Sequence, residues 1–147
     1  MVKAIDASKY LLALSEPNKG DLISNLKLQK LLYYSQGISL ALYDCKLFQD
    51  DLVAWQHGPV VERVYDCFNH FKDSSISTEE YPVEDITIYS DTEQEAMSIA
   101  SKEFGQYSAW KLVEMTHNER PWKETERNEV ISVNLMKSYF DTLVVSN

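Results

Sequence analysis

Few residues in this chain are of types that act as ligands, bases or nucleophiles. Three histidines, His57, His70 and His117, and two cysteines, Cys45 and Cys67, are spread along 147 residues. No HExxH or HxH pairing occurs, so zinc chemistry has little support. The cysteines lack CxxC spacing. No nucleophile elbow or Cys/His signature surrounds a cysteine or a serine. What remains is an anion site. Proline suits the first position of a helix, so Gly58-Pro59 predicts a helix N-terminus with free N–H groups beside His57, where a phosphate or carboxylate would sit. On that ground alone a small hydrolase or nucleotide-binding enzyme stays open as an alternative. The preferred reading has no catalytic residue, no metal and no cofactor.

Charge narrows the partners. The formal net charge is −9 and no basic block is present. A phosphate-backbone binder needs clustered Lys and Arg, and Lys27 with Lys30 makes too small a patch, so nucleic acid is disfavoured. A DNA-binding regulator is the second alternative, decided by a gel shift. A charged partner would be basic. Hydrophobic content of 44% and the chain length suit one globular domain over residues 1–147. No run is long enough to span a membrane and no signal peptide is visible, so the expectation is a cytoplasmic protein with free thiols.

The elements that would position these residues follow from periodicity. At about 100° per residue, Leu28, Leu31, Leu32, Ile38 and Leu42 share one stripe of a helix from roughly Asn25 to Leu42, capped by Ser24 or Asn25. Its back carries Gln29, Lys30 and Gln36, but also Tyr33 and Leu40, so it is either covered on two sides or offers Tyr33 to a partner. A first helix spans Ile5–Ser15 and ends at Pro17 and Gly20. Leu52–Gln56 predicts a strand, and Pro59–Phe71 a helix burying Val60, Val61, Val64, Tyr65, Phe68 and Phe71. Asp73–Pro82 predicts a mobile loop. Ile86–Tyr89 alternates like a second strand, which would pair with the first. Ser90 or Asp91 caps a helix over Thr92–Phe104 that stops at Gly105. Ser108 caps another over Ala109–Thr116, Pro121 opens a short helical piece, and Ile131 adds a strand residue. A last helix over Val133–Leu143 buries Val133, Met136, Phe140 and Leu143. The expected fold is therefore mainly α (α+β), a compact helical domain of five to six helices with a small two-stranded antiparallel ribbon.

Three pieces of the chain resemble a known family. They are Lys27-Leu28-Gln29-Lys30-Leu31-Leu32-Tyr33-Tyr34-Ser35-Gln36-Gly37, then Ala54-Trp55-Gln56-His57-Gly58-Pro59-Val60-Val61, then Tyr107-Ser108-Ala109 with Leu112, Thr116-His117 and Pro121-Trp122. In order and spacing they are similar to the Panacea domain, also called the SocA-like or GepA-like antitoxin domain, common in bacteria and their prophages. The resemblance covers nearly the whole chain. It implies an antitoxin of a toxin–antitoxin system that neutralises a cognate toxin protein by direct binding. One branch resembles an adaptor that delivers its toxin to a ClpXP-type protease.

Each recognisable residue also has a purely architectural account. Leu28, Leu31 and Leu32 have core spacing. Trp55 anchors a strand, and Gly58-Pro59 is helix-entry chemistry. Thr116-His117 ends one helix, while Pro121-Trp122 begins the next turn and locks the end of the chain. Trp55 and Trp122 are expected to be largely buried. The partner surface is then expected among plainer residues, since a fold does not locate a function. The candidates are the acidic outer face Glu62, Asp66 and Asn69, joined by Tyr33 and Gln36 from the back of the central helix.

Overall fold

A computed structural model describes residues 1–145. The architecture is mainly helical, as its periodicity implies. Seven α-helices are present among the described residues: α1 (Ala4–Leu14), α2 (Asn25–Tyr43), α3 (Glu62–Phe68), α4 (Asp91–Phe104), α5 (Ala109–His117), α6 (Arg120–Lys123) and α7 (Val133–Val145). The four-residue α6 is the short piece that Pro121 opens. One antiparallel ribbon joins β1 (Val53–Trp55) to β2 (Gly58–Val60).

Helix α2 is the axis. Ser24 caps it by accepting from the Lys27 N–H, and α1, α3, α4, α5, α7 and β2 all pack on it. Leu28, Leu31, Leu32 and Ile38 are buried as their stripe requires, whereas Leu42 lies in the last turn and is exposed. The polar back is buried too, because Gln29, Lys30 and Gln36 each hold a neighbouring main chain. Gln29 accepts from the Val61 N–H at 2.8 Å, and Gln36 accepts from Leu47 N–H at 2.7 Å and donates to the Phe48 carbonyl at 2.9 Å. Ser39 donates to the Cys45 carbonyl and Lys27 to the Gly105 carbonyl. Buried polar groups persist when they are hydrogen-bonded, and α2 uses this to fasten three separate segments.

The ribbon differs from the expected one. Its first strand stands where the residues place it, but its partner is Gly58–Val60, with Trp55 opposite Gly58 and Gln56-His57 as the two-residue turn. Gly58-Pro59 is therefore strand and not helix entry, and α3 starts only at Glu62. Gly58 has φ +109°, a conformation that side chains rarely adopt. Ile86–Ile88 forms a 3-10 turn instead of a strand, because the Asp85 carboxylate accepts from both the N–H and the hydroxyl of Thr87. A third main-chain run joins β1 on its other edge: Ala54 N–H donates to Glu129 O, Asn128 N–H to Ala54 O and Ile131 N–H to Leu52 O. The loop 73–82 is anchored at buried Ile76, whose N–H donates to the Ile23 carbonyl at 2.8 Å. Helix α4 carries the full reciprocal cap of Ser90 and Glu93, and Ser108 caps α5. In α7, Met136 and Phe140 are buried, but Val133 and Leu143 are exposed, since the helix turns only one narrow stripe to α2.

Candidate partner-binding surface

The recognisable residues that look independent in the sequence converge on the turn between β1 and β2. Trp122 donates through Nε1 to the Trp55 carbonyl at 2.7 Å, and His117 Nε2 meets the Gln56 carbonyl at 2.9 Å. A carbonyl only accepts, so Nε2 carries the proton. Burial also pushes the imidazole below its ordinary value, so the ring is neutral at neutral pH. The His117 ring stacks on Trp122 at 4.0 Å, and the Arg127 guanidinium lies over the Trp122 ring at 3.6 Å. Beneath the turn, Lys30 is fully buried and donates from Nζ to the Pro59 carbonyl at 2.9 Å. A side chain on Gly58 would strike the Lys30 stem and the Thr116 hydroxyl. Burial pulls the Lys30 amine down to about 7. Thr116 itself is satisfied by the Val113 carbonyl.

These contacts make a stiff hairpin whose tip, Gln56 and His57, faces outward. His57 stands edge-on to Trp110 at 5.1 Å, and Trp110 is 61% exposed. Trp55 and Trp122 are half-buried rather than largely buried, because each lies at the rim of the core.

Beside the tip opens a cleft of about 500 Å3. Trp55 and Tyr65, in edge-to-face contact at 5.0 Å, form its aromatic part, and Leu26 and Val60 add aliphatic surface. Asn25 and Gln29 support it from below. Asn25 donates to the Tyr65 carbonyl at 3.0 Å, and Gln29 donates to Asn25 Oδ1 while holding Val61. This amide ladder fixes α3 against α2.

The five expected partner residues separate. Glu62, Asp66 and Asn69 are exposed on or just beyond α3, and Asn69 lines the cleft. Tyr33 and Gln36 are not on this surface, nor on any: Tyr33 is 0% and Gln36 2% exposed. Gln36 is committed to the main chain at Leu47 and Phe48. Tyr33 is covered by Phe140, at 5.4 Å between ring centroids, and donates to Glu119 Oε1 at 2.9 Å. Tyr34 donates to the other oxygen at 2.7 Å, and Tyr139 also reaches this carboxylate. Burial raises the Glu119 pKa, against the opposing effect of the three hydroxyls. The aromatic residues missed in advance are Trp110 and Tyr65. Trp110 lies two residues past the Ser108 cap, so its placement at the start of α5 was available from spacing, but its proximity to His57 was not.

The anion site expected at Gly58-Pro59 has no basis in this geometry, since no helix begins there and Val61 N–H is already held by Gln29. Both cysteines are free and exposed. Among the described residues no group of His, Cys, Asp and Glu is placed to hold a metal ion, and no helix is long and apolar enough to cross a membrane.

Residues 28–123 match the family described as antitoxin SocA-like, Panacea domain. No curated protein and no solved structure matches the chain.

Proposed function

This chain belongs to the SocA-like Panacea domain family, and from that premise we propose that it is an antitoxin that neutralises a cognate toxin protein by direct binding, with residues 1–147 acting as one domain. The family is antitoxin-like, which indicates a protein partner and a non-enzymatic role. The observation that carries the reading is where the matched segment gathers. All but Asn25, Leu26 and Asn128 of the residues lining the cleft fall within 28–123, and the residues that stiffen its hairpin wall fall there with them, Arg127 excepted.

The proposed contact surface is this cleft with the hairpin tip, Trp110 and the outer face of α3. Glu62, Asp66 and Asn69 belong to it; Tyr33 and Gln36 do not. An exposed tryptophan held against a stiff turn suits an interface anchor. Rim carboxylates chiefly speed association with a basic partner.

The test is co-expression with the product of the adjacent gene. Growth arrest by that product alone, rescue by this chain, and a stable complex on size-exclusion chromatography are expected. Rescue with no complex and unchanged toxin levels would overturn direct binding. Rescue that instead requires a ClpXP-type protease and lowers toxin abundance would make the chain an adaptor. With Glu62→Lys and Asp66→Lys together, undiminished neutralisation at low salt removes the acidic part of the surface.

A further inference from the structure

The cleft holds two kinds of side-chain amide. Asn25 and Gln29 are buried and fully engaged inside the protein. Gln56, Asn69 and Asn128 are exposed, line the same cleft, and make no side-chain hydrogen bond within the described protein. They come from three separate places: the hairpin tip, the residue that ends α3, and the turn after α6. Asn128 is set by its own backbone, with φ +71° and its N–H held by the Ala54 carbonyl at 2.7 Å. Each of the three amides presents both donors and an acceptor. That is the complement of a peptide group, which also carries one of each.

The rest of the lining agrees. Lys72 and Asp73 are the formally charged lining residues, and their charges cancel. This is poor recognition of a phosphate or another isolated ion, which draws on clustered cations. Trp55 and Tyr65 with Leu26 and Val60 supply the apolar surface for one large side chain. The charge lies to one side. By helical geometry Tyr65, Asn69, Glu62 and Asp66 follow one another within about 100° of arc around α3. Neither Glu62 nor Asp66 has an ion-pair partner among the described residues.

We infer that the cleft grips its partner by the main chain, taking an extended segment that packs one large apolar side chain against the Trp55–Tyr65 pair and sets a lysine or arginine beside it against Glu62 and Asp66. The inference rests on the proposal above that the partner is a protein. It adds which part of that protein is read.

A displayed library of short random peptides, panned on the full chain, tests it without knowledge of the toxin. Selected sequences are expected to pair an aromatic or large aliphatic residue with Lys or Arg. A synthetic consensus peptide should bind the wild-type chain and lose about tenfold or more in affinity to Asn69→Ala with Asn128→Ala, the size of one or two good hydrogen bonds. N-methylation of the peptide main chain should abolish binding. In the Glu62→Lys, Asp66→Lys chain, binding should weaken and lose its salt dependence. All these positions are exposed, but Asn128 sits at φ +71°, where alanine is strained, so Asn128→Gly is run beside Asn128→Ala and circular dichroism verifies each fold. No enrichment, an acidic consensus, or full binding by N-methylated peptide would overturn the inference. If a toxin complex forms while no peptide binds, only this inference fails; if peptides bind but no toxin is neutralised, the antitoxin reading fails instead.

Discussion

Two clusters combine aromatic rings with polar side chains, and they use them in opposite ways. Around Glu119, the hydroxyls of Tyr33, Tyr34 and Tyr139 all point at one carboxylate inside the core. Nothing there is left to offer a partner. Around the cleft, Trp55 and Tyr65 are only half-covered, and Gln56, Asn69 and Asn128 keep their hydrogen-bonding capacity. The first cluster spends its polarity on joining α2, α5–α6 and α7. The second is held rigid by residues behind it and keeps its own polarity unspent. Aromatic content alone does not mark an interface; what matters is whether the polar neighbours are already engaged.

The sharpest way to break this contrast is Glu119→Ala. It leaves the buried Tyr33 and Tyr34 hydroxyls without an acceptor, each worth about 1–3 kcal/mol, so a loss of roughly 2–6 kcal/mol is expected in urea unfolding. A loss under about 1 kcal/mol, below the cost of one orphaned hydroxyl, would mean that the cluster is not structural. Next is Leu31→Ala at the centre of α2, where Leu31 is 1% exposed. A destabilisation of roughly 2–5 kcal/mol is expected by the same measurement.

The third test concerns Lys30, which belongs to both regions because it supports the hairpin from within the core. Its amine falls from an ordinary 10.5 to about 7 in the folded protein. Between those values the unfolded chain binds the extra proton, so this group makes stability rise with pH and removes that gain as pH falls through about 7. The buried tyrosines act in the opposite sense. Burial raises Tyr33 and Tyr34 above 10, so their contribution is full below about 10 and declines above it. The window for Lys30 is therefore about pH 7 to 10, and Lys30→Met should flatten the rise in melting temperature across it. An unchanged slope in thermal melts would show that the amine stays charged.

The smallest effect sharpens the contrast from the other side. Asn69→Ala removes an exposed amide with no internal partner, so stability should move by less than about 0.5 kcal/mol, while toxin binding weakens in a titration. A stability loss as large as a core truncation would mean that Asn69 belongs with Glu119.

Much of the fold was legible because it is written locally. Ser24, Ser90 and Ser108 each precede an apolar-periodic run and each caps a helix. The failures share a cause. The alternation at Ile86–Tyr89 reads as strand, but a local Asp85–Thr87 interaction outcompetes it. Gly58-Pro59 fits helix entry as well as a strand, and only the buried Lys30 and Thr116, distant in sequence, select the strand. Gln29, Tyr33 and Gln36 look like an outward face because spacing cannot distinguish a polar group facing water from one gripping a loop. For the same reason the cleft was half visible: Asn69 was found from helical spacing, whereas Gln56 and Asn128 meet it only through long-range pairing of β1.

Helix α7 crosses α2 where Gly37 leaves room for the Phe140 ring, and any side chain at Gly37 would collide with that ring. The two residues are far apart along the chain, and Phe140 also covers Tyr33. During synthesis, Tyr33, Tyr34 and Gly37, which the Phe140 ring packs against, leave the ribosome long before it does. Until that ring arrives, the tyrosines and Glu119 stand open to water, and the nascent chain exposes the kind of unfinished core that chaperones and proteases recognise. A contact that looks like ordinary packing in the finished protein thus sets the moment in translation at which the core can close.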